Sequence, residues 1–162
     1  MTLDSNELAV RRALAERFVA AVTKSFVFLE SAGFSACPWS SQSPEEYRDA
    51  AFVTTYILSK RAIDVRLELA TRQICVVVFD YDRVATCNER HKPRRVLDLD
   101  EWTEQNGLVT PAPLTWMKKN TLYEEVQRSL KYYFKQVERD LDTTVNFMAE
   151  RLKHSGLHVR ES

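Results

Sequence analysis

The chain predicts an α+β domain: an antiparallel meander of three or four strands, flanked by a long N-terminal and a long C-terminal helix. Three observations predict it. First, Ile63, Val65, Leu67 and Leu69 alternate with Asp64, Arg66 and Glu68, the period of two that marks a half-buried strand. Second, this segment lies between two β-forming runs, Phe52 to Ser59 and Ile74 to Phe79, rich in β-branched and aromatic residues. The polar breaks Ser59-Lys60-Arg61 and Thr71-Arg72-Gln73 suit hairpins and are too short for a crossover helix. Third, apolar residues recur every three or four positions in both flanking stretches, the stripe of an amphipathic helix.

In chain order, a helix starts at Asp4 or Ser5 and carries Leu14, Phe18, Val22, Phe26 and Leu29 on one face. It stops near Gly33, which can take the left-handed conformation while Phe34 folds back on the last turn. That is about 28 residues, or roughly 42 Å, too long for the sheet alone, so an overhang or a bend is expected. Ser35 to Pro44 reads as a loop, with Trp39 as a buried plug. After the meander, Arg83 to Arg95 is a basic, proline-bearing connection with a cationic tip, and Val96-Leu97 re-enter the sheet as a short fourth strand. Asp98 then N-caps a short helix through Leu99, Trp102 and Gln105, closed by Asn106-Gly107. Thr121 to Glu124 fits a capping box. From there the stripe Leu122, Val126, Leu130, Phe134, Val137, Leu141, Val145, Met148 and Leu152 runs to Gly156, a helix of about 34 residues or roughly 50 Å.

Size and composition agree with a single domain over residues 1–162, long enough to bury roughly 70% of its unfolded surface. The 23 basic residues balance the 23 acidic ones, which gives no support to direct, non-specific nucleic-acid binding. No apolar run approaches the roughly 20 residues of a membrane span, and the N-terminus has no signal-peptide pattern. Three cysteines at 37, 75 and 87, odd in number and irregular in spacing, make no disulfide framework. The reading is a cytoplasmic protein, with Cys75 an inert core thiol.

Each cluster that could carry chemistry has a plainer explanation. Asp64 and Glu68 on one strand face echo a metal-dependent nuclease, but the lysine that such a site sets beside the glutamate is missing, and Arg66 sits between the carboxylates. A solvated strand face accounts for them. Asp80-Tyr81-Asp82 closes a strand, and Asp98-Leu99-Asp100-Glu101 opens a helix. Cys87-x-x-x-His91 and His154-x-x-x-His158 are the only ligand-like spacings, and they fall short of a zinc set. No nucleophile elbow or phosphate loop is present. No cofactor, metal or catalytic residue is expected. Candidate partner-binding residues are Asp64, Arg66 and Glu68 on the outer strand face, Arg90, Lys92, Arg94 and Arg95 on the basic connection, and Tyr132, turned away from its helix's apolar stripe.

Three stretches, Phe26-Val27-Phe28-Leu29-Glu30 with Gly33-Phe34, the Tyr56 to Phe79 meander, and Leu97-Asp98-Leu99-Asp100-Glu101-Trp102, cover about half the chain. In this layout the chain resembles small bacterial immunity-type proteins, the cytoplasmic inhibitors that guard a cell against toxins of polymorphic or contact-dependent secretion systems. The resemblance implies a non-enzymatic protein that binds one cognate toxin domain, a nuclease for example. The neutral charge departs from the acidic balance of many nuclease blockers, which leaves room for an exosite binder or a toxin of another kind. The rival readings are a secretion or assembly chaperone, and a metal-dependent nuclease or transferase using Asp64 and Glu68.

Overall fold

A computed structural model describes residues 5–37, 51–68, 73–107 and 130–159. The elements are α1 (Ser5–Ser25), α2 (Val27–Ser31), β1 (Ser35–Ala36), β2 (Ala51–Leu58), β3 (Arg61–Glu68), β4 (Gln73–Asp80), β5 (Arg95–Asp98), α3 (Leu99–Gln105) and α4 (Leu130–Ser155). The α+β class holds. The sheet is antiparallel and strictly sequential, β1-β2-β3-β4-β5, so it has five strands where three or four were expected. The missed strand is β1, two residues paired to Ile57 and Tyr56. A strand of that length has no periodicity to betray it.

Register follows from the alternation. Phe52, Leu67 and Ile74 align across the three central strands, as do Thr54, Val65 and Val76, and Tyr56, Ile63 and Val78. These side chains form the inner face, and all but Thr54 belong to one core with Leu14, Phe18 and Val22 of α1 and Leu141, Val145, Met148 and Leu152 of α4. Both helical stripes are thus buried against one side of the sheet, and an Arg17–Asp142 ion pair joins α1 to α4.

The N-terminal helix is bent, not continuous. Phe26 leaves helical geometry between α1 and α2, and its ring, fully buried, stacks near Tyr56 of the sheet at 6.5 Å. The bend redirects the chain so that Leu29 stays in the core. Gly33 (φ +100°) closes α2, and Phe34 N–H donates back to the Leu29 carbonyl at 2.9 Å, the chain reversal expected of a left-handed cap. At the other predicted cap, the Asp98 carboxylate accepts from Glu101 N–H at 3.1 Å. The C-terminal helix is present from Leu130 onward; the Thr121–Glu124 capping box, Trp39, Leu69 and the Thr71-Arg72 break lie outside the described residues.

Candidate partner-binding surface

The outer face of the sheet is built from the other half of the alternation. Thr55, Asp64, Val77 and Asp98 form one row across β2 to β5, and Ile57, Ala62, Phe79 and Val96 form the next. Sequence reasoning left this face in solvent, with Arg66 neutralising Asp64. The structure corrects that. Asp64 is buried, at 6% exposure, because residues 81–94 fold back over this end of the face as a strap.

Contacts along its length hold the strap down. Tyr81 N–H donates to the Lys60 carbonyl and Ala85 N–H to the Ser59 carbonyl, each at 2.8 Å. Both acceptors belong to the β2–β3 turn, where Ser59 takes φ +54°. Cys87 is joined to Cys37, just past β1, by a disulfide spanning 50 residues of sequence. Arg90 enters from the strap's far arm, and its Nη1 donates to both Asp64 carboxylate oxygens at 3.0 and 3.1 Å. Its Nε donates to the Tyr81 hydroxyl at 2.8 Å, and its guanidinium lies 4.7 Å from the Phe79 ring centroid. Beneath the strap, Ile57, Ala62, Tyr81 and Ala85 form a second small core. Burial alone would lower the arginine's pKa, but the Asp64 charge and the Tyr81 and Asp64 hydrogen bonds raise it.

The cationic loop tip is therefore corrected as well: Arg90 serves as an internal tie, while Lys92 and Arg94 lie exposed between it and the sheet edge. The cysteine reading is corrected too. Cys37 and Cys87 are bonded, and the third cysteine sits half-buried on the outer face, not in the main core. Burial, then the nearby charge of Asp98, pushes the Cys75 thiol up to about 11, so it is a poor nucleophile at neutral pH.

Beyond the strap the outer face is half-exposed. Arg66 and Glu68 stand there 3.5 Å apart as an ion pair, beside half-buried Val53, Cys75 and Val77. The structure thus groups Arg66 with Glu68 and separates both from Asp64, which is occupied by Arg90 and by the Thr55 hydroxyl at 2.8 Å. Arg94 and Arg95 lie elsewhere again, at the end of the sheet. Tyr132 lies on the described backbone of α4, and its side chain is outside the described residues.

That sheet end carries a charged cluster that the sequence reading passed over. Asp80 accepts from Arg61 Nε at 2.7 Å and from Arg95 Nη2 at 2.7 Å, and Arg61 also donates to the Leu157 carbonyl at 2.8 Å. Burial opposes ionisation of Asp80, but the hydrogen bonds and charges of the two arginines outweigh it and hold the carboxyl below the usual carboxylate range. The signal existed: Arg61 is in phase with Ile63, Val65 and Leu67, and Asp80 with Ile74, Val76 and Val78. Opposite charges at the inward phase of adjacent strands call for each other. Next to the cluster opens a cleft of about 730 Å³ between the β2–β3 turn, Arg94 and the turn after α4.

Among the described residues no group of three or more His, Cys, Asp or Glu side chains could hold a metal ion. Cys87 is committed to Cys37, and His154 Nδ1 lies 2.7 Å from its own helix's Glu150 carbonyl, as a last-turn histidine should. Among the described residues no helix is long and apolar enough to cross a membrane. No protein-family model, curated protein or solved structure matches the chain.

Proposed function

We propose that the chain is an immunity-type protein that binds a cognate toxin domain by protein–protein contact, with the outer sheet face beyond the strap as its platform. The observation that carries this reading is the division of that face. One end is locked under residues 81–94. The other presents the Arg66–Glu68 pair amid half-buried Val53, Cys75 and Val77. A rigid sheet surface with an apolar surround and central charges loses little conformational entropy on docking, and its two charges select register. The reading also accounts for Asp64: with both carboxylate oxygens held by Arg90 it is a structural anchor, and the metal-dependent alternative through Asp64 and Glu68 would need that arginine withdrawn.

The compartment follows from the same reading with one condition. Disulfides persist in oxidising compartments. A guard of the cytoplasm would carry Cys37 and Cys87 as a pair of thiols, and a guard against a toxin acting in the periplasm would carry the bond.

The test is capture from the native cell with tagged wild type and with the double reversal Arg66→Glu/Glu68→Arg, followed by expression of the captured protein alone and together with this chain. Immunity requires a partner that arrests growth alone, is silenced by co-expression, and is captured at least tenfold less by the reversal. A non-toxic secreted client held equally by both forms would replace this reading with a chaperone.

A further inference from the structure

The cleft beside the Asp80 cluster is independent of the outer face and points to a ligand of its own. Its rim is cationic: Lys60 on the β2–β3 turn, Arg61 at the start of β3, and Arg94 just before β5. Asp80 takes Arg61 and Arg95, and Asp82 lies 3.8 Å from Arg94. The four cations Lys60, Arg61, Arg94 and Arg95 thus outnumber the two carboxylates by two charges in a protein whose overall charge is zero. Phe34, Leu58 and Val159 form an apolar patch of the wall, beside Asp80, Tyr81 and His158. Leu58 and Val159 are exposed, at 39% and 63%. The volume, about 730 Å³, lies within the roughly 300–1,000 Å³ of small-molecule sites.

We infer that this cleft binds a small organic anion: a carboxylate or phosphate head held at the Lys60–Arg94 rim, with an apolar body laid against Leu58 and Val159. Arginine and lysine together suit such a head, the guanidinium as a planar fork and the ammonium as a mobile point charge. Arg61 is a positioning residue here. Its Asp80 and Leu157 bonds fix it across the junction of sheet and C-terminal turn, and so fix the spacing between the cationic rim and Val159. His158 also lines the cleft, its ring edge-on to Phe28 at 5.1 Å, which places a reporter nucleus in the wall.

The experiment is an NMR titration of the intact protein with octanoate, octyl phosphate and uncharged octanol, reading the imidazole resonances of its three histidines. It is repeated on Lys60→Glu/Arg94→Glu, whose side chains are exposed on a turn and a loop, and on Lys92→Glu, which changes charge outside the cleft. Saturable shifts at His158, without shifts at His91 and His154, are expected for at least one anion. The double variant should weaken that affinity at least tenfold, and Lys92→Glu by less than twofold. A response to octanoate alone identifies a carboxylate ligand, and one to octyl phosphate alone a phosphate ester. Absence of saturable shifts, equal binding of octanol, or unchanged affinity in the folded double variant would each overturn the assignment.

Discussion

Asp80 is the residue on which the sheet end depends. Its side chain is 7% exposed and it faces two arginines, of which Arg61 is itself 14% exposed. Asp80→Asn would leave those cations without their counter-charge, and breaking a buried pair from one side costs about 3–5 kcal/mol. Arg95, at 44% exposure, can turn to water, so the loss should fall near the lower end, about 3 kcal/mol by urea unfolding; a loss under about 1 kcal/mol would show the cluster to be solvent-screened. Thr54 presents the opposite case. It sits on the inner face at 5% exposure, and its hydroxyl has no hydrogen-bond partner among the described residues. A buried, unsatisfied hydroxyl costs about 1–3 kcal/mol, so Thr54→Val should raise stability by about 1 kcal/mol, read as a higher urea midpoint at unchanged slope.

At the scale of elements, the strap is the feature with the largest expected effect. The Cys37–Cys87 bond closes a loop whose ends are 50 residues apart, and cross-linking a loop of that size contributes about 4 kcal/mol in the chain-entropy account. Cys87→Ser should therefore cost about 2–4 kcal/mol, with the loss of stability matched by reduction of the wild type. Thiol titration of denatured, unreduced protein should find one free thiol where the sequence has three cysteines; three would mean that the strap is held by Arg90 and its backbone hydrogen bonds. Elements differ sharply in how well the sequence announced them. β3 and β4 were legible because each has one face in the core, and α4 because Leu141, Val145, Met148 and Leu152 keep helical spacing. The break at Phe26 was foreshadowed only by the helix's excess length, and its position was not legible, since a bend that preserves the stripe leaves periodicity intact. Nor was the strap legible. Arg90 meeting Asp64 and Cys37 meeting Cys87 depend on a chain reversal over the outer face, and no local period records a contact between segments so far apart.

For the whole molecule, acid sensitivity follows from two groups. Burial, reinforced by the charge of Arg61, lowers the His158 pKa from 6.5, and a backbone hydrogen bond to Leu152 only partly offsets this. The unfolded chain then binds this proton more readily than the folded one, so stability falls as pH drops from 6.5 through the lowered value. Asp80 acts with the same sign at lower pH: its stabilisation is present above 3.8 and is lost as pH falls through its depressed folded value. A stability profile should show two separate declines. His158→Phe should remove the upper one and leave the lower, and a single decline in the wild type would mean that His158 titrates alike in both states.

The unbroken strand order has a consequence for how the molecule is assembled in time. Each strand of the sheet pairs with its neighbour in sequence, so every pairing from β2 to β4 closes only a short loop, and hairpins of this kind form in about 1–10 μs. The layer above is the reverse. α1 meets α4 through Arg17 and Asp142, 125 residues apart, and their joint covering of the inner face requires the whole chain. A nascent chain emerging from the ribosome would thus display the completed meander with its apolar side only partly covered until residues beyond 141 had been synthesised. At roughly 5–20 residues per second, that interval lasts several seconds. During it only the helices already made, α1 and α2 with the short α3, shield the sheet, so the N-terminal helix is also the chain's first protection against aggregation.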